Sequence, residues 1–276
     1  MLTIKLLPSY EEEIIIMVND VSSDLECIQN QTLKLCLAAV KRDGRTLEYV
    51  HNQTPEICLA AVRQNGFALE FVHNQSPEIC LAAVNQEGFA LDYAHNQTPE
   101  LCLAAVKKNG YVLQYVQNQS LEICLAAVKQ HGFALEFVQN QSLEICLAAV
   151  KQNGYAIEFV HNQTPELCLE AVKQNGLALD YVHEQSLEIC LASVKQHGYV
   201  LKFVRNRAPK LCLAAVNQYG LALKYVQNQT PELCFTAVKQ NGNAIKYVKN
   251  KTLEIIAISV VSKHKINLLN YPSKYA

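Results

Sequence analysis

Apolar and polar residues follow one another along this chain in a pattern that returns every 22 residues. Residues 54–75 have the sequence TPEICLAAVRQNGFALEFVHNQ, and at about 100° per residue the first half of this unit separates into two arcs. The polar arc carries Glu56, Arg63 and Gln64 with Ala60, and the apolar arc holds Ile57, Cys58, Leu59, Ala61 and Val62. This separation predicts an amphipathic α-helix in the first half of each unit.

The start and the end of this helix are predicted by the residues around it. Thr54 supplies a side-chain oxygen for the first-turn amides, Pro55 has the φ favoured at the first helical position, and Glu56 complements the positive end of the helix dipole. The same trio, with Ser for Thr or Leu for Pro, opens most other units. Gly66 is expected to stop the helix by adopting the left-handed conformation.

Two structures compete for the segment that follows the glycine. As a second short helix it buries Phe67 and Phe71 and exposes Glu70, whereas as a strand it would leave Val72 on the charged face. A strand would suit a leucine-rich-repeat horseshoe, but the L-x-x-L-x-L-x-x-N frame of that family is absent. The helix accounts for more of the residues, so a two-helix repeat is favoured.

All ten glycines recur at the 22-residue spacing, from Gly44 to Gly242. Such a period is typical of arrays in which each unit stacks on its neighbours. The predicted fold class is therefore all-α, an α-solenoid of about ten 22-residue two-helix repeats with degenerate caps. Residues 1–31 are predicted to form an N-terminal segment and degenerate capping repeat, residues 32–251 the ten tandem repeats, and residues 252–276 a C-terminal half-repeat cap and tail. The apolar slots of the N-terminal cap are held by Ile14, Val18, Leu25 and Ile28.

The composition supports a packed core, because half of the residues are hydrophobic and 18% are charged. Ten of the eleven cysteines occupy one slot on the apolar arc of the first helix. Stacked helices about 8 to 10 Å apart hold such thiols too far from one another for disulfides or a shared zinc ion. The cysteines are therefore interpreted as core residues in a reducing compartment, and no metal site is expected.

The start of the chain is not expected to be a secretory signal. Lys5 is followed by Pro8, Tyr10 and three glutamates before the apolar run 14–18, which is too short to cross a bilayer. An intracellular, cytoplasmic location without membrane insertion is expected.

The net charge is −1, but the charges are segregated along the chain. Residues 1–186 hold 11 Lys and Arg against 22 Asp and Glu, whereas residues 187–276 hold 13 against 3. Such segregation suggests electrostatic steering of a partner, head-to-tail self-association, or contact of the basic end with an anionic surface. Drift among exposed positions explains it equally well.

The exposed slot of the second helix changes sign in the same region. It holds Glu, Asp or Gln in the first seven repeats and Lys in the last three. The candidate anion-binding or partner-binding residues are Lys202, Arg205, Arg207, Lys210, Lys224, Lys246, Lys249 and Lys251. Nucleic acid is a weakly supported alternative partner, because Tyr225 and Tyr247 are placed on the buried arc and offer no stacking platform.

A row of histidines lies at the corner between units: His51, His73, His95, His161 and His183. Gln, Arg and Lys interrupt it, and these residue types share little as metal ligands or bases, although all can hydrogen-bond the end of a short helix. No nucleophile, base and orienting group converge in a translational repeat, and no glycine-rich phosphate loop is present. The sequence therefore predicts no enzyme, no catalytic residue and no cofactor.

The next two positions of each corner are predicted to be structural. Asn52 and Gln53, with their equivalents, are expected to satisfy turn carbonyls and amides between units. Glu184, Arg207 and Lys251 stand in the same slots and indicate that these slots tolerate exchange.

The run L-A-A-V-K-Q-N-G-x-A-L-x-Y/F-V occurs with small changes at 103–116 and 147–160. It resembles the short helical repeats of unknown function that are common in giant viruses of amoebae and scattered through protists and some bacteria. The resemblance covers about residues 25–262 and implies an all-helical array in a viral or host-interaction setting, in the host cytoplasm or with the virion. The uniform 22-residue unit and the cysteine slot depart from the usual pattern, and no activity or site residue carries over.

These observations favour a non-catalytic repeat scaffold that binds a protein partner through its exposed polar rows. Binding of nucleic acid or an anionic surface through the basic C-terminal repeats is the alternative. Self-association of the acidic body with the basic end is a third hypothesis.

Overall fold

A computed structural model describes residues 25–252, 254–256, 258–259 and 261. The α-helices are α1 (Leu33–Arg42), α2 (Pro55–Gln64), α3 (Pro77–Gln86), α4 (Pro99–Lys108), α5 (Leu121–Gln130), α6 (Leu143–Gln152), α7 (Pro165–Gln174), α8 (Leu187–Gln196), α9 (Pro209–Gln218) and α10 (Pro231–Gln240). Each is followed by a 3₁₀-helix: η1 (Gly44–Tyr49), η2 (Gly66–Phe71), η3 (Gly88–Tyr93), η4 (Gly110–Tyr115), η5 (Gly132–Phe137), η6 (Gly154–Phe159), η7 (Gly176–Tyr181), η8 (Gly198–Lys202), η9 (Gly220–Tyr225) and η10 (Gly242–Tyr247).

The two-helix repeat predicted from the sequence is confirmed, and its second helix is of the tighter 3₁₀ type. The described residues contain no β-strand, so the strand alternative for the second segment is wrong. The fold is all-α, with consecutive packed repeats of the kind found in an α-solenoid of about ten units.

The predicted helix starts are confirmed in every repeat except the one that begins with α9. In α2, the side-chain oxygen of Thr54 accepts a hydrogen bond from the backbone N–H of Ile57 at 3.4 Å, and Pro55 is the first helical residue. Helix α9 begins after Ala208, which has no side-chain oxygen, and the N–H of Leu211 donates instead to the backbone carbonyl of Ala208 at 2.9 Å.

The predicted left-handed conformation of the glycines is wrong, because no described glycine has a positive φ. Helix α2 ends at Gln64, and the next residue, Asn65, has an extended backbone and donates its N–H to the carbonyl of Ala61 at 2.9 Å. Glycine is required for a different reason. A Cβ on Gly66 would lie 2.6 Å from the carbonyl oxygen of Ala83 in the next repeat and 2.9 Å from Oε1 of Gln86. Successive repeats therefore approach too closely at this point to admit a side chain.

Small and branched residues from both helices form the core of each repeat. In the second repeat the buried residues are Ile57, Cys58, Ala61, Val62, Ala68, Leu69 and Val72. The slot of Leu59, predicted to be buried, is only half-buried, and its equivalent Leu81 is 42% exposed. The buried face of the helix is consequently narrower than the apolar arc that the sequence predicts.

The aromatic residues were expected to be buried, but they lie on the surface of the repeat. Phe67 is 37% exposed, and Tyr225 and Tyr247 are half-buried. Rings of successive repeats meet edge to face, and the ring centroids of Phe67 and Tyr93 are 6.3 Å apart. Tyr225 and Tyr247 are therefore less buried than the sequence predicts.

Contacts divide the chain into two compact units, which we call unit 1 (Met1–Asn140) and unit 2 (Gln141–Ala276). Unit 1 contains α1–α5 and η1–η5, and each α-helix packs on its neighbouring α-helices and on the preceding 3₁₀-helix, as α2 packs on α1 and η1. Unit 2 contains α6–α10 and η6–η10 with the same packing, as α9 packs on α8, α10 and η8.

The predicted terminal caps fall largely outside the described residues, including Ile14, Val18 and the tail after residue 261. Leu25 and Ile28, the last apolar residues of the predicted N-terminal cap, are buried. Within the part of the chain that the structure describes, every helix is too short or too polar to cross a membrane.

Candidate functional site

A row of glutamine side chains joins successive repeats within each unit. These residues lie five positions before a cysteine, in the corner between a 3₁₀-helix and the next α-helix. We call them the clamp glutamines: Gln31, Gln53, Gln75, Gln97 and Gln119 in unit 1, and Gln141, Gln163, Gln185 and Gln229 in unit 2.

Gln75 illustrates the geometry of the clamp. Its Nε2 donates to the carbonyl oxygen of Leu69 in its own repeat at 3.1 Å and to that of Tyr93 in the next repeat at 2.8 Å. Its Oε1 accepts from the backbone N–H of His95 at 2.9 Å and from the thiol of Cys80 at 3.7 Å. One side chain thus satisfies backbone groups of two repeats, which fixes one corner relative to the next.

The expectation that Gln53 and its equivalents satisfy turn amides and carbonyls is confirmed. The histidine row is held through its backbone, since the N–H of His73 donates to Oε1 of Gln53 at 3.0 Å while the histidine itself is exposed. Two cationic members of that row also use their side chains. Arg205 and Lys249 each donate to the carbonyl oxygen of the same slot one repeat earlier, at 2.6 and 2.7 Å.

The cysteines lie beneath the clamp. All eleven are free; ten are buried, and Cys27 is half-buried. Burial disfavours the thiolate and raises the pKa of each of these ten thiols above its ordinary value. Among the described residues, no group of three or more His, Cys, Asp and Glu side chains comes together to hold a metal ion.

Two positions of unit 2 lack the clamp glutamine, Arg207 and Lys251, and the structure describes the following corner only for Arg207. Arg207 stands in the glutamine slot and turns back onto its own repeat, where Nε donates to the carbonyl of Leu201 and Nη2 to that of Lys202, both at 3.1 Å. It makes neither of the bonds to the next repeat that a clamp glutamine makes. The backbone N–H of Gln227, which corresponds to that of His95, consequently has no acceptor among the described residues. The slot accepts the exchange without loss of the repeat fold, as predicted, but the bonds to the next repeat are lost.

Arg207 lines a groove of about 360 Å³ between its own corner and the next corner of unit 2. Arg205, Gln227 and Thr230 contribute polar groups, and Pro209 contributes part of the apolar wall. Two arginines and the residue with the unpaired N–H therefore line the same groove.

The equivalent groove in unit 1, six repeats earlier in the sequence, has nearly the same size, about 380 Å³. In this groove Gln75 stands at the position of Arg207. His95 corresponds to Gln227, and Thr98 corresponds to Thr230. Glu100 also lines this groove, which contains no arginine. The two grooves share a backbone plan and differ in charge.

The segment 205–210 departs from the other repeats at four positions. Arg205 and Arg207 bring positive charge, Ala208 replaces the capping Ser or Thr, and Lys210 replaces the Glu found at the second helical position of most other repeats. Lys210 is exposed. Together the changes add three cations and remove one carboxylate and one hydroxyl group.

The lysines of the second helix form a separate row. Nζ of Lys202 lies 4.2 Å from the ring centroid of Phe203, and Nζ of Lys224 lies 4.7 Å from that of Tyr225. A hydrogen bond with the Tyr225 side chain raises the pKa of Lys224. Lys246 is exposed in the same slot. The ammonium groups of Lys202 and Lys224 lie over aromatic rings, at the distance of cation–π contacts.

The structure therefore divides the eight predicted residues. Arg205 and Arg207 share the groove, Lys202, Lys224 and Lys246 form the lysine row, and Lys210, Lys249 and Lys251 are exposed at corners and helix starts.

In unit 1 the same slot of the 3₁₀-helices is acidic. We call the exposed residues Glu48, Glu70, Asp92, Gln114 and Glu136 the acidic row, and a half-buried aromatic residue follows each of them. The guanidinium carbon of Arg45 lies 5.9 Å from the ring centroid of Phe71. A cation can thus rest on these rings beside the carboxylates.

Sequence reasoning grouped the basic residues by charge and missed the unpaired N–H and the groove. The signal was available at residues 206–210, where N-Q-T-P-E of other repeats becomes N-R-A-P-K. What the sequence could not show was that the lost glutamine served a backbone group 20 residues further along.

Comparison with protein families gives one result. The family model described as Domain of unknown function (DUF4116) matches residues 33–76, 54–98, 76–121, 98–141, 120–164, 143–187, 164–207 and 209–253, each segment spanning about two repeats. No curated protein and no solved structure matches. Since the matched segments cover most of the chain, this protein belongs to the DUF4116 family, whose function is unknown.

Proposed function

We propose that the chain is a non-catalytic repeat scaffold that binds a protein partner along the acidic row of unit 1. The observation that carries this proposal is the exposure of carboxylates such as Glu70 and Asp92 next to half-buried aromatic rings. Carboxylates attract cations, and ring faces add cation–π contacts, as the position of Arg45 over Phe71 illustrates. The partner is therefore an extended protein segment rich in Lys and Arg.

The repetition of the row supports an extended partner over a compact ligand. Carboxylates occupy this slot in four of the five repeats of unit 1, with Gln114 in the other, so a segment that follows the repeats meets a similar surface several times. Contacts of this kind sum along the segment, although each exposed charge pair contributes less than about 1 kcal/mol.

Two matched triple variants test the proposal. Glu70→Gln, Asp92→Asn and Glu136→Gln neutralise the acidic row, whereas Glu78→Gln, Glu100→Gln and Glu122→Gln remove the same charge from helix starts of unit 1. Fluorescence polarisation with a labelled oligo-arginine peptide should show about tenfold weaker binding for the first variant. The second should retain binding within about twofold, since its carboxylates lie outside the row. Equal losses in both variants would mean that only net charge matters, which contradicts the proposal.

The proposal also concerns the setting of the protein. Ten buried free thiols suit a reducing, intracellular compartment. The resemblance of the repeat consensus to viral and protist repeats suggests the host cytoplasm or the virion. Fractionation of source cells followed by immunodetection tests this part of the proposal, and recovery from a secreted fraction would contradict it.

Nucleic-acid binding by unit 2 is the second candidate function. It is favoured by the lysine row, in which exposed ammonium groups recur at the repeat spacing beside half-buried rings. Gel-shift titration at low and high salt should show a steep salt dependence that is lost when Lys202, Lys224 and Lys246 are changed to Glu. Light scattering under the same conditions detects head-to-tail self-association, in which the lysine row of one copy meets the acidic row of another.

A further inference from the structure

We propose that the groove at Arg207 in unit 2 binds a phosphate monoester. This inference does not rest on the proposed protein-binding function, which concerns the acidic row of unit 1. Its starting point is the unpaired backbone N–H of Gln227. In other repeats the oxygen of a clamp glutamine occupies this place, at 2.9 Å from the N–H of His95 for example. An oxygen of a bound anion fits the same position.

The charge of the groove favours an anion with two negative charges. Arg205 and Arg207 line it, and none of the described residues that line it is acidic. The guanidinium of Arg207 uses Nε and Nη2 for carbonyls, which leaves Nη1 for a ligand. The guanidinium of Arg205 donates through Nη1 to the carbonyl of His183 in the preceding corner, so Arg205 adds positive charge near the groove and the direct contact is assigned to Arg207. Guanidinium groups pair with phosphate oxygens in well-defined geometry.

A monoester fits better than a phosphodiester chain for two reasons. Arg207 and the free N–H belong to one concave place with the charge of Arg205 nearby, whereas a polynucleotide backbone would need cations spaced along its path. Pro209, Val226 and Leu233 form an apolar part of the wall, beside the polar Asn206, Asn228 and Thr230, and this part suits the organic group of an ester. The volume of about 360 Å³ leaves room for such a group beside the phosphate.

Restoring the consensus residue is the decisive experiment. Isothermal titration of the full chain with phenyl phosphate, in chloride buffer of constant ionic strength, should detect binding to the wild type. Arg207→Gln should weaken that binding about tenfold or more for two reasons. The substitution removes a guanidinium group, and Oε1 of the new glutamine accepts the N–H of Gln227 in place of the ligand. The same variant should melt about 2 to 4 °C higher without ligand, because the clamp is restored. In wild-type protein, the amide resonance of Gln227 should move on addition of phenyl phosphate.

Two controls make the result specific. Lys246→Gln removes one positive charge outside the groove and should change the affinity for phenyl phosphate by less than about twofold. A single-stranded oligonucleotide without terminal phosphates should bind wild type and Arg207→Gln equally. The proposal is overturned if phenyl phosphate fails to bind, or if Arg207→Gln binds it as wild type does. It is also overturned if only the oligonucleotide binds and loses affinity in Arg207→Gln, since the groove would then serve phosphodiesters.

Discussion

The corner at Gln75 in unit 1 and the corner at Arg207 in unit 2 have the same backbone plan and grooves of similar size, yet the first is hydrogen-bonded to the next repeat and the second is cationic and lacks those bonds. In the first, one amide side chain satisfies groups of two repeats. In the second, a longer side chain serves only its own repeat and leaves an N–H unpaired. The comparison teaches that in an array of near-identical units, a single exchange can turn a joint into a binding place.

The close approach at the glycines is common to both units, and its removal should have the largest effect. Gly66→Ala should cost about 3 kcal/mol in urea unfolding, because the new Cβ would lie 2.6 Å from the carbonyl oxygen of Ala83. Gly220→Ala in unit 2 should cost as much, since its Cβ would lie 2.8 Å from Oε1 of Gln240 and meet backbone as well. Gly88→Ala is the control, with 3.1 Å to the nearest carbonyl oxygen and an expected cost of about 1 kcal/mol. Equal costs at Gly66 and Gly88 would contradict the steric explanation.

Truncation of the corner residue should separate the two regions. Gln75→Ala leaves the N–H of His95 and the carbonyl of Tyr93 without partners, so we expect a loss of about 2 kcal/mol in unfolding free energy. Arg207→Ala removes only bonds within its own repeat and should cost about 1 kcal/mol or less. Hydrogen exchange offers a local measurement, in which the amide of His95 is protected in wild type and that of Gln227 is not. Protection of both amides would remove the difference between the corners.

A smaller effect is expected where α9 lacks its cap. Ala208→Thr should stabilise the protein by about 1 kcal/mol or less, because the new hydroxyl can accept the N–H of Leu211 as Thr98 accepts that of Leu101, in place of its present bond to the carbonyl of Ala208. Thr98→Ala in unit 1 is the mirror experiment and should cost about the same amount. Thermal unfolding of the two variants checks the pair, and a destabilising Ala208→Thr would show that the α9 start cannot adopt the common geometry.

The helices could be predicted from the sequence because their signals are local. Thr54, Pro55 and Glu56 define a start within one turn, and the burial of Ile57 and Ala61 follows from periodicity alone. The conformation of Gly66 could not be predicted, because a left-handed stop and a close approach to the next repeat both select glycine. Only the second explanation involves residues some 20 positions away.

The positive charge of the candidate site could be predicted from the sequence, but the hydrogen bonds that shape the site could not. Arg205 and Arg207 were identified among the basic residues, but the role of the glutamine slot depends on bonds to the corner of the following repeat. Phe67 and Tyr225 were misplaced for a related reason. An apolar arc gives the direction of the core, whereas the neighbouring repeat decides how much of a large ring it covers.

The clamp has a consequence for how unit 2 comes apart. Each clamp glutamine ties the backbone of its successor to its own corner, so a disturbance in one repeat is passed to its neighbour through that amide group. At Arg207 this tie is missing. Local unfolding that begins in the last repeats should therefore stop at Arg207. The repeats after Arg207 should unfold together, while the preceding repeats of unit 2 stay folded.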